Sequence, residues 1–302
     1  MKKETKGTIL AILAAVVSGI AIPVNKFFIV NLDPTVFTAV RAVIIGVMFL
    51  IVASFRSKFN YKTFKKVSWT YLLAIAVIGG AIAFLLFFNG LALTTAGRAA
   101  FLQKTLPLYV AILAFVFLRE RISRKMAYAL GAMLLGTLIL YYSQTGLATL
   151  WTNPSLGDLL VIAATILWAI EAIIARKAML IGETNWVVSF ARMFFGGLIL
   201  FGFVLLFGKM GLLLTLSMQQ WINIIASTII LFVYVFFWYW SIKCINVTKA
   251  TSLLLLAPII SVIGGVVFFG EPVPFLQLMG SAMILIGAYF VSGVKSEFRE
   301  KI

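Results

Sequence analysis

Long apolar blocks alternate with short polar connections along the whole chain. Ten blocks lie at about 7–28, 34–55, 69–93, 97–118, 125–142, 157–180, 186–208, 220–242, 248–269 and 274–293. The connections include "NLDP" at 31–34 and "WTNPSLGD" at 151–158. A helix needs roughly 17–25 mostly apolar residues to cross a bilayer, so each block predicts one membrane-spanning helix. The start, "MKKETKG", resembles the charged part of a signal peptide. Its apolar run continues past a signal core and no A-x-A site ends it, so it is expected to remain as the first span. No stretch is long or polar enough for a separate soluble domain.

Composition agrees. Of 302 residues, 63% are hydrophobic and 11% charged, against about half and about a quarter in soluble domains. Such a chain cannot cover itself in water, and lipid must be its solvent. There is no histidine and Cys244 is the single cysteine, so an intramolecular disulfide is impossible and no metal site is expected. The net charge of +16 admits nucleic acid as a partner, but the lysines and arginines sit in short clusters between the blocks. That is the membrane-protein pattern. With the N-terminus inside, 19 of the 25 basic residues fall on inner segments, which predicts cytoplasmic N- and C-termini in the cell membrane.

A shift of 151 aligns the chain with itself. Arg41 falls on Arg192, Gly46 on Gly197, Arg98 on Lys249, Pro107 on Pro258, Glu120 on Glu271 and Gly136 on Gly287. Chance matches of leucine and valine carry nothing in such a chain, but collinear Arg, Pro and Glu in low-charge spans do. Residues 1–150 and 151–302 are therefore read as two five-helix repeats. An odd number of crossings makes the second enter from the opposite side. Inverted repeats mark secondary transporters, with the substrate site near the midplane where the halves meet.

Three segments carry a family resemblance: "TAGRAAFLQKTLPLYVAILAFVFLRERIS" at 95–123, "GDLLVIAATILWAIEAIIARK" at 157–177 and "TKATSLLLLAPIISVIGGVVFFGEPV" at 248–273. Together with the five-plus-five spans, they resemble the EamA family of the drug/metabolite transporter superfamily. The resemblance implies an all-α integral membrane fold of ten helices, as two inverted five-helix repeats around a central cavity lined by spans 1, 3, 4, 6, 8 and 9. It also implies alternating access, often outward, for small metabolites. It says nothing of substrate identity, nor of Glu171 and Lys104.

Glu171 is the sharpest single residue. It lies about 20 Å from the outer end of span 6 at 1.5 Å per residue, where a carboxylate is costly and marks a functional site by default. It shares a helical face with Thr165, Trp168, Ala172 and Ala175. It is a candidate for binding a substrate amine or for taking up a proton, the candidate coupling ion in a chain without histidine. Lys104, beside Gln103, is the nearest opposite charge by this reading; its bland alternative is snorkelling to outer headgroups. On span 8, Tyr234 and Trp238 share a face, while Tyr239 and Trp240 fit an interfacial belt. Ser18, Asn25 and Thr251 are plausible polar contacts, each weak because Ser and Thr often hold helices together. Arg41 and Arg192 read as structural, neutralised by carbonyls, headgroups or an acid at their own ends. Glu120 and Glu271 read as holding helix-to-loop turns. Pro107 and Pro258 each strip a helical partner from the carbonyl four residues earlier and are candidate hinges.

An intramembrane enzyme, such as a lipid-modifying transferase, needs a catalytic constellation, and none is visible: no histidine, no aspartate pair in the spans and no metal-ligand cluster. A channel needs a polar pore-lining stripe, which no span carries. An ATP-driven pump needs a phosphate loop. The expectation is a non-enzymatic carrier without cofactor, exporting amino-acid-like or amine-bearing compounds. Its partners are that small molecule, the bilayer and, as a candidate, a second copy in a homodimer.

Overall fold

A computed structural model of the chain describes residues 2–29, 31–55, 67–145, 155–270 and 272–296. Ten helices in it are long and apolar enough to span a membrane. They are α1 (Lys3–Phe28), α2 (Pro34–Phe55), α3 (Trp69–Leu93), α4 (Ala96–Gln103 and Leu106–Phe117) and α5 (Arg124–Thr145). The second half holds α6 (Leu156–Leu180), α7 (Asn185–Leu206), α8 (Met218–Cys244), α9 (Val247–Leu253 through Ala257–Phe269) and α10 (Phe275–Gly293). The described residues contain no strand.

The helix starts follow local chemistry. Asp33 caps α2 by accepting from the backbone N–H of Thr35 and Val36, and Pro34 follows at the first helical position, where no N–H is needed. Ser155 with Asp158 and Ser217 with Gln220 form reciprocal capping boxes on α6 and α8. Glu120 caps a helix too, but not its own. Its carboxylate accepts from the Val247 and Thr248 N–H groups and the Thr248 hydroxyl, at 3.0, 3.3 and 2.8 Å. It therefore ties the first half to the start of α9, where the sequence reading had it holding its own turn. Glu271 lies outside the described residues.

Pro107 and Pro258 bend nothing in mid-helix. Each opens the second segment of a broken helix. The breaks, at Lys104–Thr105 and at the 3-10 turn Leu254–Leu256, coincide under the shift of 151. Restarting the helix at proline leaves the missing N–H in the first turn, where it costs least.

Packing obeys the same correspondence. α1 lies along α8 and α6 along α3, which are the same pair seen from either half; α2 packs on α7 and α5 on α10. Glycines matched by the repeat sit at both self-paired contacts. A Cβ at Gly46 would stand 2.6 Å from Phe194 Cα, and one at Gly197 would stand 2.8 Å from the Val43 backbone nitrogen. Helix association in lipid rests on such close backbone approach.

Ion pairs link the halves at both ends of the bundle. Arg98 at the start of α4 holds Asp158 at the start of α6, 3.2 Å apart. Lys249 at the start of α9 holds Glu4 at the start of α1, 2.7 Å apart, and also donates to the carbonyls of Ser292 and Val294. Arg98 and Lys249 are repeat mates, and the two pairs sit at opposite ends. Asp33 adds a third tie, to Lys209 at 2.8 Å. Burial pushes its carboxyl up, but the Lys209 ammonium and two backbone N–H groups outweigh that and hold it below its ordinary value.

Candidate functional site

Three side chains from consecutive helices meet inside the bundle. Glu171 on α6 is 1% exposed and lies about 22 Å from the start of its helix at 1.5 Å per residue. The Tyr239 hydroxyl, from α8, donates to Glu171 Oε1. Arg192 Nη1, from α7, lies 3.6 Å from Glu171 Oε2 and donates to the Tyr239 oxygen at 3.3 Å. The guanidinium also faces the rings of Phe84 and Tyr239 at 5.7 and 5.8 Å. Buried carboxylate and guanidinium thus neutralise one another, and removing either would strand the other without water.

The backbone around them is irregular. α3 winds as a π-helix over Ala76–Ile82, and α7 does so over Ala191–Phe195, the turn that carries Arg192. These two segments face each other: a Cβ on Gly196 would fall 2.6 Å from Gly80 Cα. Gly79 lies against Glu171 so closely that any side chain there would strike the Glu171 methylenes. Its carbonyl accepts from Trp168 Nε1 at 3.3 Å. Widened π turns recur at functional sites, and here both flank the buried ion pair.

The EamA-like transporter family profile matches this chain twice, over residues 5–142 and 155–293, so each copy takes in one set of five helices. The chain belongs to the EamA-like transporter family. An uncharacterized transporter of Archaeoglobus fulgidus is 23% identical over 278 residues, covering 90% of this chain and 94% of the relative. The uncharacterized transporter YyaM of Bacillus subtilis is 23% identical, covering 93% and 91%. A solved crystal structure shares the fold at a TM-score of 0.77 and 17% identity, over 95% of this chain and 98% of that one. As an EamA-like protein, the chain is a multi-pass membrane transporter.

Within this EamA-like bundle, only some of the residues singled out in the sequence gather at Glu171. Trp168 is packed against Phe84 and Phe87, with ring centroids 5.4 and 5.1 Å away, and joins the Glu171 cluster through Gly79. Trp238 is 3% exposed, and Tyr234, one turn away and half-buried, lies within electrostatic reach of Arg192 and Glu171. Thr251 returns its hydroxyl to its own helix, at Val247 and Thr248. Ser18 and Gln103 are half-buried, while the Asn25 side chain lies outside the described residues.

Two readings are corrected. The opposite charge at Glu171 is Arg192, not Lys104. Tyr239 belongs to no interfacial belt; it is fully buried on Glu171, and Trp240 is stacked on Phe236 at 4.2 Å. At Arg41 no carbonyl or acid among the described residues meets Nε or Nη1, which are buried, and the guanidinium faces the Phe37 ring at 4.5 Å. The repeat explains the imbalance. Subtracting 151 from Glu171 and Tyr239 gives Ile20 and Phe88, so the first half lacks both groups that serve Arg192. Arg192 is visible in the sequence as the repeat mate of Arg41, and an acid neutralises it as that reading allowed. Its pairing with Glu171 depends on how the helices are turned about their axes, which spacing along the chain does not reveal.

Proposed function

We propose that this chain is a secondary carrier that exports amino-acid-like or other amine-bearing compounds across the cell membrane by alternating access, with Glu171 as the substrate-amine site. The observation that carries this reading is the pair of repeat-related ion pairs, Arg98–Asp158 and Lys249–Glu4, at opposite ends of the bundle, with a buried carboxylate between them. Breaking one pair opens one side and leaves the other side shut. An ammonium reaching Glu171 competes with Arg192 for the same carboxylate, so binding loosens α6 from α7 and couples cargo to helix movement. The breaks before Pro107 and Pro258 are the hinges of that movement. The outward direction rests on the family resemblance.

Counterflow in proteoliposomes tests it. Vesicles preloaded with pooled amino acids and amines receive trace labelled ones, with wild type beside Glu171→Gln. Uptake by wild type and at least a tenfold loss in the variant is expected. Equal uptake by both would leave a carrier but remove Glu171 from binding. No uptake of any amine-bearing compound by wild type would overturn the substrate class.

A further inference from the structure

Lys104 sits in the break of α4, about 12 Å from the start of that helix at 1.5 Å per residue. It is 6% exposed and lines a groove of about 190 Å³ between α4 and α5. Its ammonium has no hydrogen bond or ion pair among the described residues, whose ion pairs all involve other groups. The other polar groups in the groove are already committed: the Thr105 hydroxyl donates to the Leu102 carbonyl at 2.6 Å, and that of Thr137 to the Met133 carbonyl at 2.8 Å. An ammonium in an apolar wall without an acceptor is costly, so its acceptor comes from beyond the described residues.

The position of the groove limits what that acceptor is. Leu108 and Leu135 in its walls are 42% and 56% exposed, and Ile112 and Phe115 continue the exposed stripe along α4 at 63% and 62%. The opposite face of α4, with Val110, Ala111 and Ala114, is buried. The groove therefore opens on the lipid-facing perimeter, on a different face from the Glu171 cluster and toward the end of the bundle away from the termini.

We infer that this groove binds a phospholipid of that leaflet, its anionic headgroup on the Lys104 ammonium and an acyl chain along Leu108, Ile112 and Leu135. A soluble anion would have to enter through hydrocarbon, whereas a lipid enters sideways with its charge already at the interface. The headgroup supplies the counter-charge that α4 lacks at its break, next to the proposed hinge. Negatively charged phosphatidylglycerol suits a single ammonium better than zwitterionic phosphatidylcholine.

Native mass spectrometry and thermal unfolding of the detergent-purified protein, with phosphatidylglycerol, phosphatidylcholine or inorganic phosphate added, test this. Wild type is expected to retain phosphatidylglycerol adducts several-fold above phosphatidylcholine and to gain thermal stability from it. Lys104→Met loses that preference, Lys104→Arg keeps it, and Leu135→Trp, which plugs the groove without touching the charge, reduces both adducts. Equal adducts in wild type and Lys104→Met would overturn the assignment. So would an equal stabilisation by inorganic phosphate, which would make the groove a site for free anions. If Lys104→Met does not fold, phosphatidylglycerol adducts in Leu135→Trp as abundant as in wild type serve as the refuting result.

Discussion

Arg41 and Arg192 hold equivalent places in the two halves, yet among the described residues only Arg192 has a carboxylate and a phenol to face. Truncating Arg192 leaves Glu171 buried with Tyr239 alone, and breaking a buried pair typically costs about 3–5 kcal/mol. Arg192→Met should therefore unfold at markedly lower temperature in detergent. Glu171→Gln in the same chain should recover most of the loss, since no charge is then stranded. Arg41→Met gives up the contact with the Phe37 ring, worth about 1 kcal/mol, but also removes buried N–H groups that have no partner among the described residues, so it should cost no stability and is expected to raise it. A loss at Arg41 as large as that at Arg192 would mean that Arg41 has a partner of comparable strength. This difference between the halves is written in the sequence, at Ile20 and Phe88, but becomes readable only once Glu171 and Tyr239 are known to serve Arg192.

At the level of the helix, two irregularities have different origins. The breaks at Lys104–Thr105 and Leu254–Leu256 are announced by Pro107 and Pro258, because proline dictates local backbone on its own. The π turns of α3 and α7 are not announced, because a π turn is stabilised by what packs against it. Their trace in the sequence is Gly80 and Gly196, which allow the two backbones to touch. A methyl group on Gly80 would run into the Arg192 carbonyl, so Gly80→Ala must part α3 from α7. The expected cost is about 1–3 kcal/mol, the usual range for overpacking. Gly131, in α5, has nothing within 4 Å of an added Cβ, and there alanine should stabilise by about 0.5–1 kcal/mol through helix propensity. Thermal unfolding of both variants beside wild type decides whether the contact, rather than glycine loss as such, sets the penalty. The ten spans themselves were legible to within a few residues because length and apolarity in a bilayer leave little choice. The rotation of each helix was not, and that rotation decides why Tyr239 faces Glu171 and Lys104 faces α5.

For the molecule as a whole, repeat-related ion pairs at opposite ends make a direct test of rocking possible. Arg98→Gln releases Asp158 and should favour the form open at that end; Lys249→Gln releases Glu4 and should favour the other. Single cysteines placed near each end, after replacement of Cys244, should then change their labelling by a membrane-impermeant thiol reagent in opposite directions. Parallel changes in both variants would mean that the pairs stabilise the bundle without gating it. Arg41 adds an electrical consequence. Its Cα lies about 10 Å below the start of α2 at 1.5 Å per residue, its guanidinium faces Phe37 one turn nearer that start without a partner for Nε or Nη1 among the described residues, and the charge so stands part-way through any transmembrane voltage. Carrying one such charge across the full field is worth about 2.3 kcal/mol per 100 mV. A rocking motion that shifts α2 through even part of that field makes the membrane potential a participant in the cycle, whether or not the cargo itself is charged.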